Sequence, residues 1–214
     1  MVCLDCFNPR NCVFEILIFL SGSACYRTDN ILGGQLRRAP TLLINFRFPW
    51  GFMAMYFEVP EKLVPFMTKN DKGKPREMDS SFTPPERVLA AWLQGDQQYR
   101  NERLKLIPYV VEGPWVVRSM VTGRPAIIGK RLPVTYRHYE SHGQHPLLCA
   151  TLDVGNSTAA AKRIVSVCRR YMSSLTVDIG FVIEGNSPNE LPEQMLGAVR
   201  IHGPDPLRAV PLRK

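Results

Sequence analysis

The sequence predicts an α+β domain with two to four helices packed on a mainly antiparallel sheet. Hydrophobic residues make up 45% of the 214 positions, which is enough for a substantial core in a chain of this length. The 18 prolines and 15 glycines are spread along the chain, a distribution typical of short elements joined by turns rather than of a long helical bundle. Because short β-rich runs follow one another, an antiparallel meander is the simplest sheet.

The element patterns divide the chain into three parts. Residues 37–205 contain the clear patterns and no linker, so they are predicted to form one domain, followed by a loose tail at residues 206–214. Residues 1–36 form a separate N-terminal segment, and its longest apolar run is at residues 13–20. We interpret this run as a buried strand or short helix, because Glu15 interrupts it and it is too short to span a bilayer. A secretion signal is the alternative.

A β-hairpin is the first clear element of the predicted domain. Residues 41–48 and 52–59 are β-rich and are joined by the turn-forming residues 49–51. The segment at residues 69–76 is polar and basic and contains a glycine and a proline, so we expect a surface loop there.

Two helices with clear end signals come next. Thr83 is a typical N-cap, and Glu86 is placed three residues later to complete a capping box. Gly95 is expected to end this helix. Asp96 is then expected to cap a second short helix that continues through Arg103.

The remaining elements are several strands and one long helix. Residues 157–173 have apolar side chains on one helical face and basic side chains on the other, which predicts an amphipathic helix. Residues 175–184 alternate apolar and polar side chains, which favours a strand, and a continuation of the helix is the alternative. A last helical turn is predicted at residues 190–194. Strands are also predicted at Leu104–Ile107, Trp115–Val121, Ala126–Tyr139, Leu147–Val154 and Met195–Ile201.

The charge of the chain favours an anionic partner, either lipid headgroups or nucleic acid. Lysine and arginine outnumber aspartate and glutamate by 27 to 19, which gives a formal net charge of +8. At the hairpin tip, Trp50 and Phe52 are candidate aromatic contacts for a membrane interface. The structural alternatives are a core position for Trp50 and a solvated loop after the hairpin. That loop supplies four candidate basic contacts: Lys69, Lys72, Lys74 and Arg76.

A second candidate anion site lies at the end of the second predicted helix and the start of the strand that follows it. Arg100, Arg103 and Lys105 are close in sequence, and guanidinium groups match the geometry of phosphate oxygens. The structural alternative is an ion pair between Asp96 and Arg100, which are four residues apart on the helix.

No residue pattern predicts catalysis, a cofactor or a bound metal. Residues 123–130 are the nearest approach to a phosphate-binding loop, but five residues rather than four separate the glycines and Arg131 follows the lysine, so a turn between strands is expected. His138, His142 and His145 lie in a polar segment that is expected to be a solvated loop. The cysteine spacing fits neither a disulfide framework nor a zinc site, so reduced thiols and a cytosolic location are expected.

Six stretches of the chain together resemble a known family. They are Trp92–Pro108, Val111–Arg118, Pro125–Lys130, Asp153–Ser157, Val177–Gly185 and Glu190–Arg200. In this order they resemble the C-terminal domain of the plant Enhanced Disease Resistance 2 proteins, formerly a domain of unknown function. The resemblance extends over residues 40–202, whereas residues 1–36 do not resemble the usual start of that domain.

The resemblance implies a role at membranes. In the larger members of the family this domain follows a pleckstrin-homology domain and a START lipid-transfer domain, and no catalytic residues are established for it. We therefore expect a non-catalytic, lipid- or membrane-associated binding domain in the cytoplasm, peripheral at a membrane, with a lipid or an anionic membrane surface as partner and no cofactor. The alternative is a basic nucleic-acid-binding domain, although no nucleic-acid motif supports it. An enzyme of unfamiliar type is a third hypothesis.

Overall fold

Two β-sheets and four α-helices make up the part of the chain that the structure describes. The computed structural model describes residues 39–68, 74–121, 123–139 and 145–205 in full, and residues 16–20 and 210–211 by their backbone. The strands are β1 (Ile16–Leu20), β2 (Thr41–Phe48), β3 (Gly51–Glu58), β4 (Leu104–Glu112), β5 (Ala126–Ile127), β6 (Val134–Tyr139), β7 (Leu147–Asp153), β8 (Thr176–Ile183), β9 (Met195–His202) and β10 (Val210–Pro211). The α-helices are α1 (Pro84–Gln94), α2 (Gln97–Arg103), α3 (Trp115–Met120) and α4 (Ala159–Tyr171). Short 3-10 helices occupy Glu61–Phe66, Ile128–Lys130, Val154–Asn156, Met172–Ser174 and Pro188–Glu190.

The strands form two separate sheets. The first sheet has the order β10-β1-β3-β2-β7-β6, and the second has the order β5-β4-β8-β9. The pairs β1–β10 and β2–β7 are parallel, and the other neighbouring pairs are antiparallel. The α+β class with mainly antiparallel strands is therefore confirmed. The single meander is not, because the chain leaves the first sheet after β3, returns to it with β6 and β7, and builds the second sheet from strands on both sides of that return.

The two sheets enclose one hydrophobic core. Phe181 of β8 meets Phe57 of β3 edge to face, with 5.7 Å between ring centroids, and lies 6.3 Å from Phe46 of β2. Trp92 of α1 is fully buried in the same cluster. The opposite face of the first sheet is also buried, at Leu43, Ala54, Tyr56, Leu147 and Cys149. Because both faces are covered, β2 and β3 are buried along nearly their whole length instead of alternating.

Most elements predicted from local signals are present. The hairpin is formed by β2 and β3. At the start of α1, the Glu86 carboxylate accepts hydrogen bonds from the backbone N–H of Thr83 at 2.8 Å and from its hydroxyl at 3.0 Å. Asp96 caps α2 by accepting a hydrogen bond from the N–H of Tyr99 at 2.8 Å. Residues 176–183 form a strand, so the strand interpretation of this segment is confirmed and the helical one is wrong.

Segments near both ends of the chain add strands to the first sheet. β1 lies within the apolar run at residues 13–20 and pairs antiparallel with β3. Of the two structural interpretations of this run, the strand is therefore confirmed for Ile16–Leu20. β10 lies in the tail that was expected to be loose and pairs parallel with β1.

Two predicted strands differ from the structure. Residues 115–121 were expected to be a strand, but they contain helix α3, in which Val117 is fully buried against Val110 and Leu175 while Trp115 is 75% exposed. Val116 and Val117 are β-branched and favour a strand only weakly. The packing of Val117 against Val110 and Leu175 outweighs that preference and stabilises a helix. The strand expected over residues 126–139 is interrupted by a 3-10 helix between β5 and β6.

Gly129 lies in this interruption, directly against α2. A Cβ atom at this position would lie 2.6 Å from the Cα atom of Asn101, and the obstacle is backbone that cannot rotate away. We expect Gly129→Ala to lower the free energy of unfolding by about 1–3 kcal/mol, the usual effect of overpacking, measured by urea denaturation. Gly155→Ala is the matched control, because its nearest neighbour is a movable side-chain oxygen at 3.2 Å. Equal losses for both variants would contradict this account.

Candidate functional site

The aromatic side chains of the hairpin tip form a stack that leads from the core to the surface. The rings of Phe46 and Phe48 are parallel with centroids 6.0 Å apart, and those of Phe48 and Trp50 are parallel at 4.8 Å. Phe46 is buried, whereas Phe48 and Trp50 are half-buried. The guanidinium carbon of Arg169 on α4 lies 5.3 Å from the centre of the Trp50 ring. The hairpin tip and α4 therefore form one continuous surface.

Helix α4 presents basic side chains beside this stack. Its N-cap, Thr158, accepts a hydrogen bond from the N–H of Ala161 at 3.3 Å. The inward residues are half-buried and none is fully buried, so the helix lies on the surface of the domain. Its outward face carries four exposed basic residues: Lys162, Arg163, Arg169 and Arg170. These four, with Phe48 and Trp50, are named here the tip-helix surface.

The other aromatic residue predicted at the tip is not at the surface. Phe52 is the second residue of β3 and only 7% of it is exposed. Its prediction as an interface residue is therefore corrected, because both faces of the first sheet are covered. An aromatic residue that the sequence did not suggest is Trp115, at the start of α3 and 75% exposed. Its exposure could not be inferred while this segment was predicted as a strand.

Only part of the basic loop lies in the described part of the chain. Lys69 and Lys72 lie outside the described residues. Lys74 is exposed, and Arg76 is half-buried. The backbone of Arg76 is held at the end of α1, where its N–H donates to Oε1 of Gln94 at 2.8 Å and its carbonyl accepts from Nε2 of Gln94 at 3.3 Å.

Arg100 points into the protein rather than toward a ligand. Only 4% of it is exposed, and its guanidinium donates to the carbonyl oxygens of Trp92, at 3.0 Å, and of Leu93. It also contacts Nε2 of His138 at 3.0 Å, and Nδ1 of His138 is 2.8 Å from the carbonyl oxygen of Met67. Burial lowers the pKa of Arg100 from its ordinary value. Arg100 therefore stabilises the fold of the domain and is not available to a ligand.

The other two residues of the predicted phosphate site point elsewhere. Arg103 contacts the carboxylate of Glu190 at 3.0 Å, and Lys105 contacts that of Glu193 at 2.7 Å. Arg103 and Lys105 both bond the segment at residues 184–193, whereas Arg100 bonds the end of α1 and His138, so the three side chains do not form one anion site. The alternative ion pair between Asp96 and Arg100 is absent among the described contacts, because Asp96 caps α2 and Arg100 turns inward.

Two carboxylates near this region are held in the ionised form. Partial burial acts to raise the pKa of Glu190, but hydrogen bonds from the Asn186 N–H and from Arg103 outweigh burial, and the net pKa is lowered from 4.5. Hydrogen bonds from the Thr83 N–H and from Lys62 lower the pKa of Glu86 from the same ordinary value. Both side chains line the cavity described next.

A cavity of about 440 Å³ lies between α1, the 3-10 helix at residues 61–66, the end of β3 and residues 190–196. It is named here the α1 pocket. Its walls are mainly apolar, and four glutamates also line it. Sequence reasoning missed this site because its residues come from five separate segments, none with a ligand-binding pattern. The apolar lining includes Leu42, Phe57, Leu63, Val88, Leu93 and Ile183, and the glutamates are Glu58, Glu86, Glu190 and Glu193.

Neither a metal site nor a membrane-spanning helix is found in the described ranges. No cluster of three or more His, Cys, Asp or Glu side chains there could hold a metal ion, and no helix there is long and apolar enough to cross a membrane.

The cysteines and histidines that the sequence singled out are described only in part. Cys149 is disulfide-bonded, so the expectation of reduced thiols is wrong at this position, while Cys168 is free. The proposed histidine loop is described only at His138 and His145, and His138 belongs to β6.

Comparison with known proteins identifies a family and a relative. The family described as Protein ENHANCED DISEASE RESISTANCE 2, C-terminal, matches residues 1–205, a range that includes the N-terminal segment set apart in the sequence interpretation. The chain is 35% identical over 117 residues to an Arabidopsis thaliana protein named Protein ENHANCED DISEASE RESISTANCE 2-like. The alignment covers 55% of this chain and 15% of that relative, so the chain corresponds to a small part of it. No solved structure gives a significant match.

The buried position of Arg100 predicts a large effect of its replacement on stability. Arg100→Met removes the guanidinium donor of the Leu93 carbonyl oxygen and leaves the Trp92 carbonyl oxygen with only the N–H of Gly95, at 3.3 Å. An orphaned buried group costs about 1–3 kcal/mol, so we expect the free energy of unfolding to fall by about this amount, measured by urea denaturation. The exposed Arg131 supplies the control, Arg131→Met. A loss no larger than that of the control would show that the inward hydrogen bonds do not matter.

The lowered pKa of Glu190 predicts a specific dependence of stability on pH. In the unfolded chain this carboxyl binds a proton near pH 4.5, whereas in the folded protein it does so only at lower pH. Stability from Glu190 is therefore present above pH 4.5 and is lost as the pH falls through the folded pKa. Glu190→Gln should be less stable at neutral pH and should lose less stability on acidification than the parent protein. Parallel stability curves below pH 4.5 would contradict this assignment.

Proposed function

Since the chain belongs to the family of Enhanced Disease Resistance 2 C-terminal domains, we propose that it is a non-catalytic binding domain that associates with anionic membrane surfaces through the tip-helix surface. The observation that carries this proposal is the contact of Arg169 with the ring of Trp50. It joins an aromatic hairpin tip to a basic helix in one surface. The proposed location is the cytoplasm, peripheral at a membrane.

The chemistry of this surface suits the boundary between lipid and water. The indole of Trp50 combines a large apolar ring with a polar N–H, and such side chains are favoured at the level of lipid headgroups. Basic side chains beside it interact with anionic lipid at about 1 kcal/mol each near the surface. The exposed ring of Trp115 lies on α3, which shares an apolar cluster with α4, and we include it as a second aromatic contact.

The overall charge supports the same partner. The formal net charge of +8 attracts the protein to an anionic surface before any specific contact forms. The four exposed basic residues of α4 then form the nearest concentration of positive charge to Trp50. Lys69, Lys72, Lys74 and Arg76 stay proposed as secondary contacts.

The same surface also provides the alternative, nucleic-acid binding. Aromatic rings beside arginine side chains can stack bases while the cations contact phosphates. The basic face of α4 is the observation that favours this second candidate, and no recognised nucleic-acid motif accompanies it. We favour the membrane, and nucleic-acid binding is an outcome of the test below.

The test measures binding to vesicles of phosphatidylserine and phosphatidylcholine by cosedimentation. We expect the double substitution R169Q/R170Q to weaken binding about 30-fold, because it removes two charges of about 1 kcal/mol each. Trp50→Ala and Trp115→Ala should each weaken binding further. The matched control is R124Q/K130Q, which removes two exposed charges outside this surface.

Three results would overturn the proposal. The first is equal weakening by R124Q/K130Q and R169Q/R170Q, because the binding would then depend only on net charge. The second is no binding to the anionic vesicles. The third is binding to single-stranded nucleic acid with a steep salt dependence, together with no binding to vesicles. Urea midpoints of all variants show whether a lost cation–π contact, worth about 0.5–1 kcal/mol, has altered the fold instead.

A further inference from the structure

We propose that the α1 pocket binds an apolar molecule that carries a single cationic group. This site is separate from the tip-helix surface and does not depend on the function proposed above. Four features of the structure support it: the size of the cavity, the rigidity of its floor, the charge around it and the unmatched state of one carboxylate.

The size and lining of the cavity suit a small apolar ligand. Its volume of about 440 Å³ lies within the range of small-molecule sites, roughly 300–1,000 Å³. Its floor consists of core side chains, among them Leu42, Phe57 and Leu63, whose exposed fractions are 1%, 2% and 2%. Because these side chains belong to the shared core, this part of the lining is already in place before a ligand binds.

One wall of the pocket can adapt to the ligand. Met195, at the start of β9, lines the cavity and is 48% exposed. Methionine is unbranched and polarisable, so it can follow the shape of an apolar chain. Pro60 and Pro85 on the opposite elements lack this freedom. The pocket therefore combines a fixed floor with an adjustable edge.

The carboxylates around the cavity are not fully neutralised. Glu86 pairs with Lys62 at 2.9 Å, Glu190 with Arg103 at 3.0 Å and Glu193 with Lys105 at 2.7 Å. The fourth lining carboxylate belongs to Glu58, the last residue of β3, which is exposed and has no ion pair or hydrogen bond among the described contacts. The pocket thus has one more negative charge than its paired cations balance.

This charge decides which head group the pocket accepts. A cationic head group is attracted by the carboxylate of Glu58, whereas an anionic head group is repelled by it. This local charge is opposite in sign to the net charge of the whole chain, which is +8. The lowered pKa values of Glu86 and Glu190 keep those pairs charged at neutral pH, so they do not donate protons to an anionic ligand. The pocket is therefore selective against fatty-acid anions.

The experiment compares three decyl compounds that differ only in the head group. They are decyltrimethylammonium, 1-decanol and decanoate, and binding to the full chain is measured by isothermal titration calorimetry. We expect the cation to bind most tightly, the alcohol next, and decanoate about tenfold more weakly than the cation. Glu58→Gln should abolish the preference of the cation over the alcohol without affecting the alcohol. Its control is Glu61→Gln, an exposed neighbour outside the cavity lining.

Two further variants test the location of the site. Leu89→Trp places a large ring in the cavity and should abolish binding of all three compounds, and Leu196→Trp repeats the test from the opposite side if the first variant is unfolded in urea denaturation. Tightest binding of decanoate, no binding of the cation, or binding that survives both tryptophan variants in their folded state would overturn the proposal. Trp50→Ala should leave decyl binding unchanged, and Leu89→Trp should leave vesicle binding unchanged, so the two proposals fail separately.

Discussion

The buried guanidinium group of Arg100 connects the end of α1 to strand β6 of the first sheet. Arg100 donates to the last turn of α1 through the carbonyl oxygens of Trp92 and Leu93, and it contacts His138 on β6. His138 in turn reaches the carbonyl oxygen of Met67, just after a 3-10 helix. One side chain therefore connects α1, α2 and the first sheet. Because a buried charge is tolerated only with its hydrogen bonds satisfied, this set of contacts leaves little freedom in how α1 lies on the core.

The shape of the α1 pocket depends on the same contacts of Arg100. Fixing α1 sets one wall of the cavity, and the basic residues that come after Arg100 fix the facing wall. Arg103 bonds the carboxylate of Glu190 and the carbonyl oxygen of Glu184, while Lys105 bonds Glu193. These contacts hold the segment before β9 across the cavity from α1. Arg100 thus stabilises one part of the fold and Arg103 with Lys105 another, instead of the three forming one anion site.

Basic and acidic side chains are concentrated at different sites of the molecule, although the net charge of the whole chain is +8. The exposed face of α4 is basic and lies beside the stacked ring of Trp50, whereas the lining of the α1 pocket has an excess carboxylate at Glu58. Fields of opposite sign at two sites select ligands of opposite charge. The two proposed partners, an anionic surface and a cationic amphiphile, therefore do not compete for the same part of the domain.

The sequence by itself determined the family, the α+β class and the elements whose signals lie within a few residues. The capping box at Thr83 and the cap at Asp96 were sufficient, because each depends on adjacent backbone groups. The alternation over residues 175–184 favoured the strand that forms, but a continued helix stayed open as the alternative. Only the tertiary structure decided that residues 115–120 are helical, that Phe52 is buried and that strands form two sheets. It also decided the direction of Arg100 and created the α1 pocket. Those features depend on contacts between segments far apart in the chain, whose burial and partners no local pattern records.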